Sequence, residues 1–513
     1  MLIMRISSLK FILLFTFYLS AVNFIFFYKI FTIFQNNEKF YIIPLILTGF
    51  FISVIAVSLL FVKFLSKIIA VSVTVICGIC GYFMYNYGSI IDSEMIKNII
   101  QTDATEVKNL LSAEFFIWMF VLVIVPIFFI LKSKISYFSF TKELKIRAVL
   151  IIVSLLIIGV NYAIFGKTFI PFFRENKTLR FYTLPFYQIY SAVKFTKKSF
   201  TAPRQFIDFG KDSLKDNNQN SLLVFVVGET QRSANYSLNG YTVNDTNFYT
   251  KNNKDLVSFN NFYSCGTNTA TSLPCMFSDL TRENFSSEEA KYRENLVQIL
   301  LEAGVEIYWL DNNSGGCKGI CDDLDENHTV NFKARKMDRA IFQYAKQIKI
   351  KDAPTAIFLH IQGSHGPTYF KDYENAKFKP TCDTAELNDC TSEQIANTYD
   401  NSILYEDELQ NDMIEYLKAF NKNKKIFFLF VSDHGESLGE NGLYLHSMPY
   451  LIAPDFQKKV PALFWFNDTN TSKKFAAFKN EKFSHDNLFH TILGFFDVKS
   501  PAYNKNLDMF SQE

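Results

Sequence analysis

Five apolar stretches crowd the first 166 residues, near 9–30, 40–62, 67–87, 114–131 and 147–166. Each is close to the about 20 residues that a helix needs to cross about 30 Å of hydrocarbon, at about 1.5 Å per residue. They predict a membrane domain of five transmembrane helices over residues 1–166. The first stretch is long, has no clear small-x-small exit and is followed at once by a second span, so it reads as a retained anchor and not a cleaved signal peptide. Cys77 and Cys80, inside the third, suit helix packing as small polarisable residues.

Orientation follows from the basic residues beside the spans, which stay cytoplasmic. With the N-terminus inside, the cytoplasmic segments hold Arg5, Lys10, Lys63, Lys67, Lys132, Lys134, Lys142, Lys145 and Arg147. The opposite loops carry Lys29, Lys39, Lys97 and Lys108, and the 88–113 loop adds Asp92, Glu94, Asp103 and Glu106. An odd number of spans leaves residues from 167 onward outside the cytoplasm. Six of the eight cysteines agree, because they fall there as close pairs: Cys265/Cys275, Cys317/Cys321 and Cys382/Cys390. Such pairs predict disulfides formed in an oxidising compartment.

Residues 167–218 interleave aromatic side chains such as Phe172, Phe181, Tyr187 and Tyr190 with Lys167, Arg174, Lys177, Arg180, Lys194, Lys197 and Lys198. That pattern predicts linker helices lying on membrane lipids. The whole chain has 52 basic and 50 acidic residues, a net charge of +2, and no arginine-rich strip. It is not built to follow a nucleic-acid backbone.

From 219 to 513 the pattern changes to short β-branched or aromatic runs alternating with polar loops and helical periods, which predicts an α/β domain with a parallel sheet. Four runs, 222–227, 306–310, 356–361 and 426–431, end in reactive side chains: Gly228-Glu229-Thr230, Asp311-Asn312-Asn313-Ser314, Gln362-Gly363-Ser364-His365 and Ser432-Asp433-His434-Gly435-Glu436. Ligands of open α/β sheets sit beyond the carboxyl ends of the strands, so these four ends describe one cleft. Asp433, His434 and Glu229 offer the oxygen and nitrogen donors that tetrahedral zinc takes. The stretch from Cys265 to Phe277 holds Thr267, Thr269, Thr271 and Ser272 at a predicted helix start. A hydroxyl there would meet the positive helix dipole and, beside a metal, lose its proton more readily.

The stretch CGTNTATSLPCMF, with VVGET (226–230), DNNSG (311–315), QGSHGP (362–367), NTYDNS (397–402) and SDHGES (432–437), resembles the lipid A phosphoethanolamine transferases, a family that includes polymyxin-resistance enzymes. The resemblance spans nearly the whole chain and implies an alkaline phosphatase/sulfatase-like fold, Zn2+ as cofactor and a bacterial inner membrane with the catalytic domain in the periplasm. It implies Thr269 as nucleophile, with Glu229, Thr269, Asp433 and His434 around one principal zinc. His365 and His446 would act on the donor phosphate or hold a second zinc, and Asn313, Ser314 and Lys318 would line the substrate cleft. The spacing before Lys318 looks one residue longer than the family's. The implied donor is phosphatidylethanolamine, and the acceptor is lipid A or another envelope glycan or protein. Two rival readings are a periplasmic phosphatase or sulfatase, of which a sulfatase would need a C/S-x-P-x-R pattern that Cys275-Met276-Phe277-Ser278-Asp279 does not supply, and a glycerol-phosphate polymerase of similar plan. A scaffold that only binds an envelope partner is the non-enzymatic rival.

Overall fold

The computed structural model describes residues 5–36, 38–102, 107–108, 110–199, 205–210, 214–215, 220–313, 316–332, 337–420 and 424–512. The chain forms two compact units: residues 1–93 with 111–194, and residues 94–110 with 195–513.

The first unit is helical. Lys39–Leu60, Ser66–Asn86, Ala113–Lys132 and Phe140–Glu175 are each long and apolar enough to cross a membrane. The first expected span is not one helix but a pair, Ser8–Val22 and Phe24–Ile33, bent by 49°. The cause is Asn23. Its amide donates to the Leu19 and Leu184 carbonyls at 2.8 and 2.7 Å, and its oxygen accepts from Leu184 N at 2.8 Å, so a side chain replaces the helical ladder at the break. The count is therefore four spans, or five with the bent pair taken as one. The last helix runs unbroken past 166 to Glu175. Phe17, Ile43, Ile117, Leu156 and Ile164 are exposed, and only 11% of the most apolar window of each of the last two spans is buried. Hydrocarbon can cover such a surface and water cannot do so cheaply. Hydroxyls inside these helices turn back on their own backbone: Thr16 to Ile12 O, Thr48 to Pro44 O, Ser53 to Gly49 O, Thr74 to Ala70 O and Ser154 to Leu150 O, at 2.7–3.0 Å.

The second unit is built on an eight-stranded sheet. Its strands are β1 (Ser221–Gly228), β2 (Leu256–Tyr263), β3 (Glu306–Asp311), β4 (Thr329–Asn331), β5 (Thr355–His360), β6 (Lys425–Ser432), β7 (Lys459–Phe466) and β8 (Phe483–Ser484), in the spatial order β8-β2-β7-β6-β1-β5-β3-β4. The strands β6, β1, β5, β3 and β4 are mutually parallel. β1 and β5 are buried along their whole length, which explains why they read as continuous apolar runs. The expected parallel sheet holds for these five strands, but the whole sheet is mixed, because β7 runs antiparallel to both β6 and β2. The chain leaves β6 at the cleft and returns through 433–458, where the one described α-helix is the four-residue Asp455–Lys458. With no crossover helix to carry it to the other end, the next strand must run back.

Six of the eight cysteines are joined as Cys265–Cys275, Cys317–Cys321 and Cys382–Cys390, all in this unit. Cys77 and Cys80 are free thiols in the other. The segment 94–110, expected as a plain loop between spans, belongs to the second unit and includes most of the helix Ser93–Gln101.

Candidate active site

Strands β1 and β6 are neighbours in register, with Gly228 opposite Ser432, so their next residues, Glu229 and Asp433, emerge side by side. His434 follows. One ligand atom from each of Glu229, Asp433 and His434 can be chosen so that all lie within 4.8 Å of one another, and all three residues are buried. The His434 Nε2 stands 3.3 Å from Glu229 Oε1 and 3.4 Å from Asp433 Oδ2. Its Nδ1 lies 3.0 Å from the Gly435 carbonyl, which fixes the proton there and leaves Nε2 to face the carboxylates. Asp433 Oδ1 accepts from Thr230 N and His434 N at 3.1 and 2.7 Å. Its Oδ2 is buried with no hydrogen-bond partner among the described residues. A buried carboxylate oxygen left so costs free energy unless something positive meets it. Two carboxylates, an imidazole and a hydroxyl fit the donor set of Zn2+.

The hydroxyl is that of Thr269, the first residue of the helix Thr269–Met276. Its Oγ1 donates to Glu229 Oε2 at 3.0 Å and lies 3.5 Å from His434 Nε2. The neighbouring hydroxyls point elsewhere: Thr267 Oγ1 donates to the Met448 carbonyl at 2.6 Å, and Thr271 Oγ1 to Glu94 Oε2 at 3.2 Å. Asn268 caps the helix by accepting from Thr271 N at 3.0 Å. Asn313 gives its amide to Glu229 Oε2 at 2.8 Å and to the Ile361 carbonyl at 2.9 Å, so it steadies the carboxylate from β3. Gly363, at φ +57°, lets the loop after β5 lie against Glu229: a Cβ there would stand 2.7 Å from the Glu229 carbonyl oxygen. That loop carries His365. The His365 and His446 rings are 5.6 Å apart, and His446 is 4.4 Å from the His434 ring with its Nδ1 3.2 Å from Glu436 Oε2.

The charges are strongly coupled. Burial alone would raise Glu229, but its bond to His434 and the charges of His434 and His365 hold it well below the usual carboxylate range. Burial and then the charge of Glu229 push Asp433 up to about 6. Burial works against a charged His434, yet Asp433 and Glu229 raise it to about 9. Without metal the cluster thus holds a proton on the imidazole, and a divalent cation would take its place.

Several supporting residues carried no sequence signal. His485 accepts from Cys265 N at Nδ1, 3.1 Å, and its Nε2 lies 3.1 Å from the Ser432 carbonyl, joining the threonine loop to the end of β6. Burial holds it down to about 3, so it stays neutral and can do both. Asp338 accepts from Asn312 Nδ2, Gln362 N and Gly363 N at 2.7–3.0 Å and ties the loops after β3 and β5 together. Lys318 lines a cavity of about 510 Å³ with Lys97, Pro274, Ser287 and Gln298. Ser314 lies outside the described residues.

The family profile described as sulfatase matches residues 221–498, and that described as phosphoethanolamine transferase EptA/EptB matches residues 49–200. The phosphatidylethanolamine transferase Mcr-2 of Escherichia coli is 34% identical over 506 residues, covering 93% of each chain. The chain belongs to the EptA/Mcr phosphoethanolamine transferases. E. coli phosphoethanolamine transferase EptA is 36% identical over 82% of the transferase described here and 81% of its own length. The integral membrane lipooligosaccharide phosphoethanolamine transferase A of Neisseria meningitidis superposes on 99% of this transferase and 98% of its own chain, with a TM-score of 0.92 and 31% identity. The helical unit and the sulfatase-like α/β unit are thus both family features, and the glycerol-phosphate, hydrolase and scaffold readings give way to an enzyme that transfers phosphoethanolamine.

Proposed function

We propose that this transferase takes phosphoethanolamine from phosphatidylethanolamine onto Thr269 and passes it to lipid A or another envelope acceptor, with one zinc held by Glu229, Thr269, Asp433 and His434. The observation that carries the reading is the Thr269 hydroxyl, hydrogen-bonded to Glu229 and close to His434 while Thr267 and Thr271 bond away from the cluster. Bound there, zinc would lower the hydroxyl's pKa and offset negative charge on phosphoryl oxygens. Glu229 Oε2 stands where it can take the Thr269 proton. Thr269 Oγ1 then forms a bond to phosphorus as the bond to the diacylglycerol oxygen breaks, and that oxygen takes a proton, in this reading from the His365/His446 pair. In the second half an acceptor oxygen loses its proton to the same pair, attacks phosphorus and frees Thr269, which recovers its own proton.

Nine basic residues on one side of the spans and three disulfides in the α/β unit support an inner-membrane protein whose catalytic unit faces the periplasm. Residues 167–218 fit a linker on the lipid surface. The test is to incubate purified full-length enzyme, with zinc, with phosphatidylethanolamine in mixed micelles and to sequence the modified peptide by mass spectrometry. Phosphoethanolamine on Thr269 with release of diacylglycerol is expected; a glycerol-phosphate adduct, or modification of another residue, would overturn the donor or the nucleophile.

A further inference from the structure

The helix Thr269–Met276 contains Pro274. In an α-helix the carbonyl of residue i accepts from the N–H of residue i+4, and proline has no N–H to give. The carbonyl so orphaned is that of Ala270, the residue bonded directly to Thr269. Lys97 fills the gap: its Nζ donates to the Ala270 carbonyl at 2.7 Å and to Ser287 Oγ at 2.6 Å. One turn earlier on the same helix, Glu94 accepts from Thr271 Oγ1 at 3.2 Å. The segment between the third and fourth spans therefore grips the first turn of the threonine helix at two adjacent residues. Burial holds the Lys97 ammonium down to about 8, as for a cation largely withdrawn from water.

We propose that Lys97 is a positioning residue for the transfer reaction, its ammonium replacing the donor that Pro274 lacks and so fixing the Ala270–Thr271 peptide, one residue on from the reacting hydroxyl. The inference rests on the reading of Thr269 as nucleophile. Loss of Lys97 would free the Ala270 carbonyl to turn toward water, rotating the Ala270–Thr271 peptide and, through Ala270, moving Thr269 Oγ1 away from Glu229 and His434. Small misplacements of a reacting atom cost rate and leave substrate affinity alone.

The experiment compares full-length wild type, Lys97→Met, Lys97→Arg and the double variant Lys97→Met/Pro274→Ala, measuring kcat and KM for phosphatidylethanolamine consumption together with the rate of Thr269 labelling. Lys97→Met is expected to lower kcat and labelling about 10- to 100-fold with KM within about twofold. Lys97→Arg should keep most of the rate. Pro274→Ala restores a backbone donor to the Ala270 carbonyl and should return most of the activity lost in Lys97→Met, which no general loss of stability would predict. A rise in KM at unchanged kcat would overturn the inference by showing that Lys97 holds the donor lipid instead. A folded double variant without recovery would overturn it too; if that variant does not fold, the arginine variant decides, and a loss equal to that of methionine overturns it. Wild type that takes no label at Thr269 removes the reading beneath the inference, whereas a labelled wild type with unaffected Lys97→Met removes the inference alone.

Discussion

In the membrane unit, the hydroxyls of Thr16, Thr48, Ser53, Thr74 and Ser154 find their partners four residues back on the same helix, as Thr74 does with the Ala70 carbonyl. In the catalytic unit, polar groups find them across the sequence: Asn235 Nδ2 donates to Asp400 Oδ1 at 2.6 Å, Arg232 pairs with Glu440 at 2.6 Å, and Asp407 collects Tyr249 N, Thr250 N and Asn247 Nδ2 at 2.8–3.2 Å. The first arrangement uses acceptors already bonded within the ladder, so each hydroxyl is an addition. The second ties buried groups to one another across the fold, so removing a shared acceptor such as Asp407 strands several buried donors at once. One device occurs in both units. The Tyr18 O–H donates to the Leu122 carbonyl at 2.9 Å, near Pro126, as the Lys97 ammonium donates to the Ala270 carbonyl four residues before Pro274.

The contrast can be broken at four points. Thr269→Ala, in the most interdependent cluster, should reduce transfer by about 10³-fold or more with the thermal midpoint and membrane insertion intact; turnover near wild type would place the chemistry elsewhere. Asp407→Ala should cost about 3 kcal/mol in the catalytic unit by stranding several donors, read as a fall in Tm. Asp407 itself is raised to about 6 by burial, against its hydrogen bonds from Thr250 and Asn247. A folded pKa above the unfolded one means that the folded state binds the extra proton, so stability rises as pH falls through 6 toward 4. Wild type should accordingly gain on Asp407→Asn over that window, and a constant difference in Tm would show that the carboxyl does not titrate there.

Zinc affinity gives the third point. With His434 protonated below about 9 in the absence of metal, binding must expel one proton. Apparent affinity should climb about tenfold per pH unit from 7 to 9 and more steeply below 6, where Asp433 also takes a proton. Competition with a chelator across that range reads it directly, and a flat profile would remove His434 from the ligand set. The smallest effect belongs to the membrane unit: Thr74→Val should shift stability by about 0.5 kcal/mol or less, since the Ala70 carbonyl stays in its ladder. A drop of the Asp407 size would erase the distinction between the units.

What the sequence disclosed follows the same line. Strands β1, β5 and β6 were legible because burial on both faces makes most of their side chains apolar, and β3 by its 307–310 run; their ends displayed Glu229, Asp311, His365 within its loop, and Asp433-His434. β7 was not, because Pro461 interrupts the run; the register shift between Val460 and Ala462 accommodates it. His485, Asp338 and Lys97 escaped notice because each acts on residues far away in the chain, and no local spacing encodes such a contact. The bend in the first span escaped for a similar reason: Asn23 is one polar residue in an apolar run, and its partner Leu184 lies 161 positions on.

The chain passes between the two units at 93/94, 110/111 and 194/195. The catalytic body is therefore not a bead on a single string but is tethered by three lengths of backbone, one pair of which delivers Lys97. A water-soluble fragment cut at 219, where the apolar and linker segments end, would keep the candidate metal cluster of Glu229, Asp433 and His434 and leave behind the lysine that bonds the Ala270 carbonyl. Such fragments should fold, load metal and turn over slowly, and a peptide spanning 93–110 added back to them should quicken them.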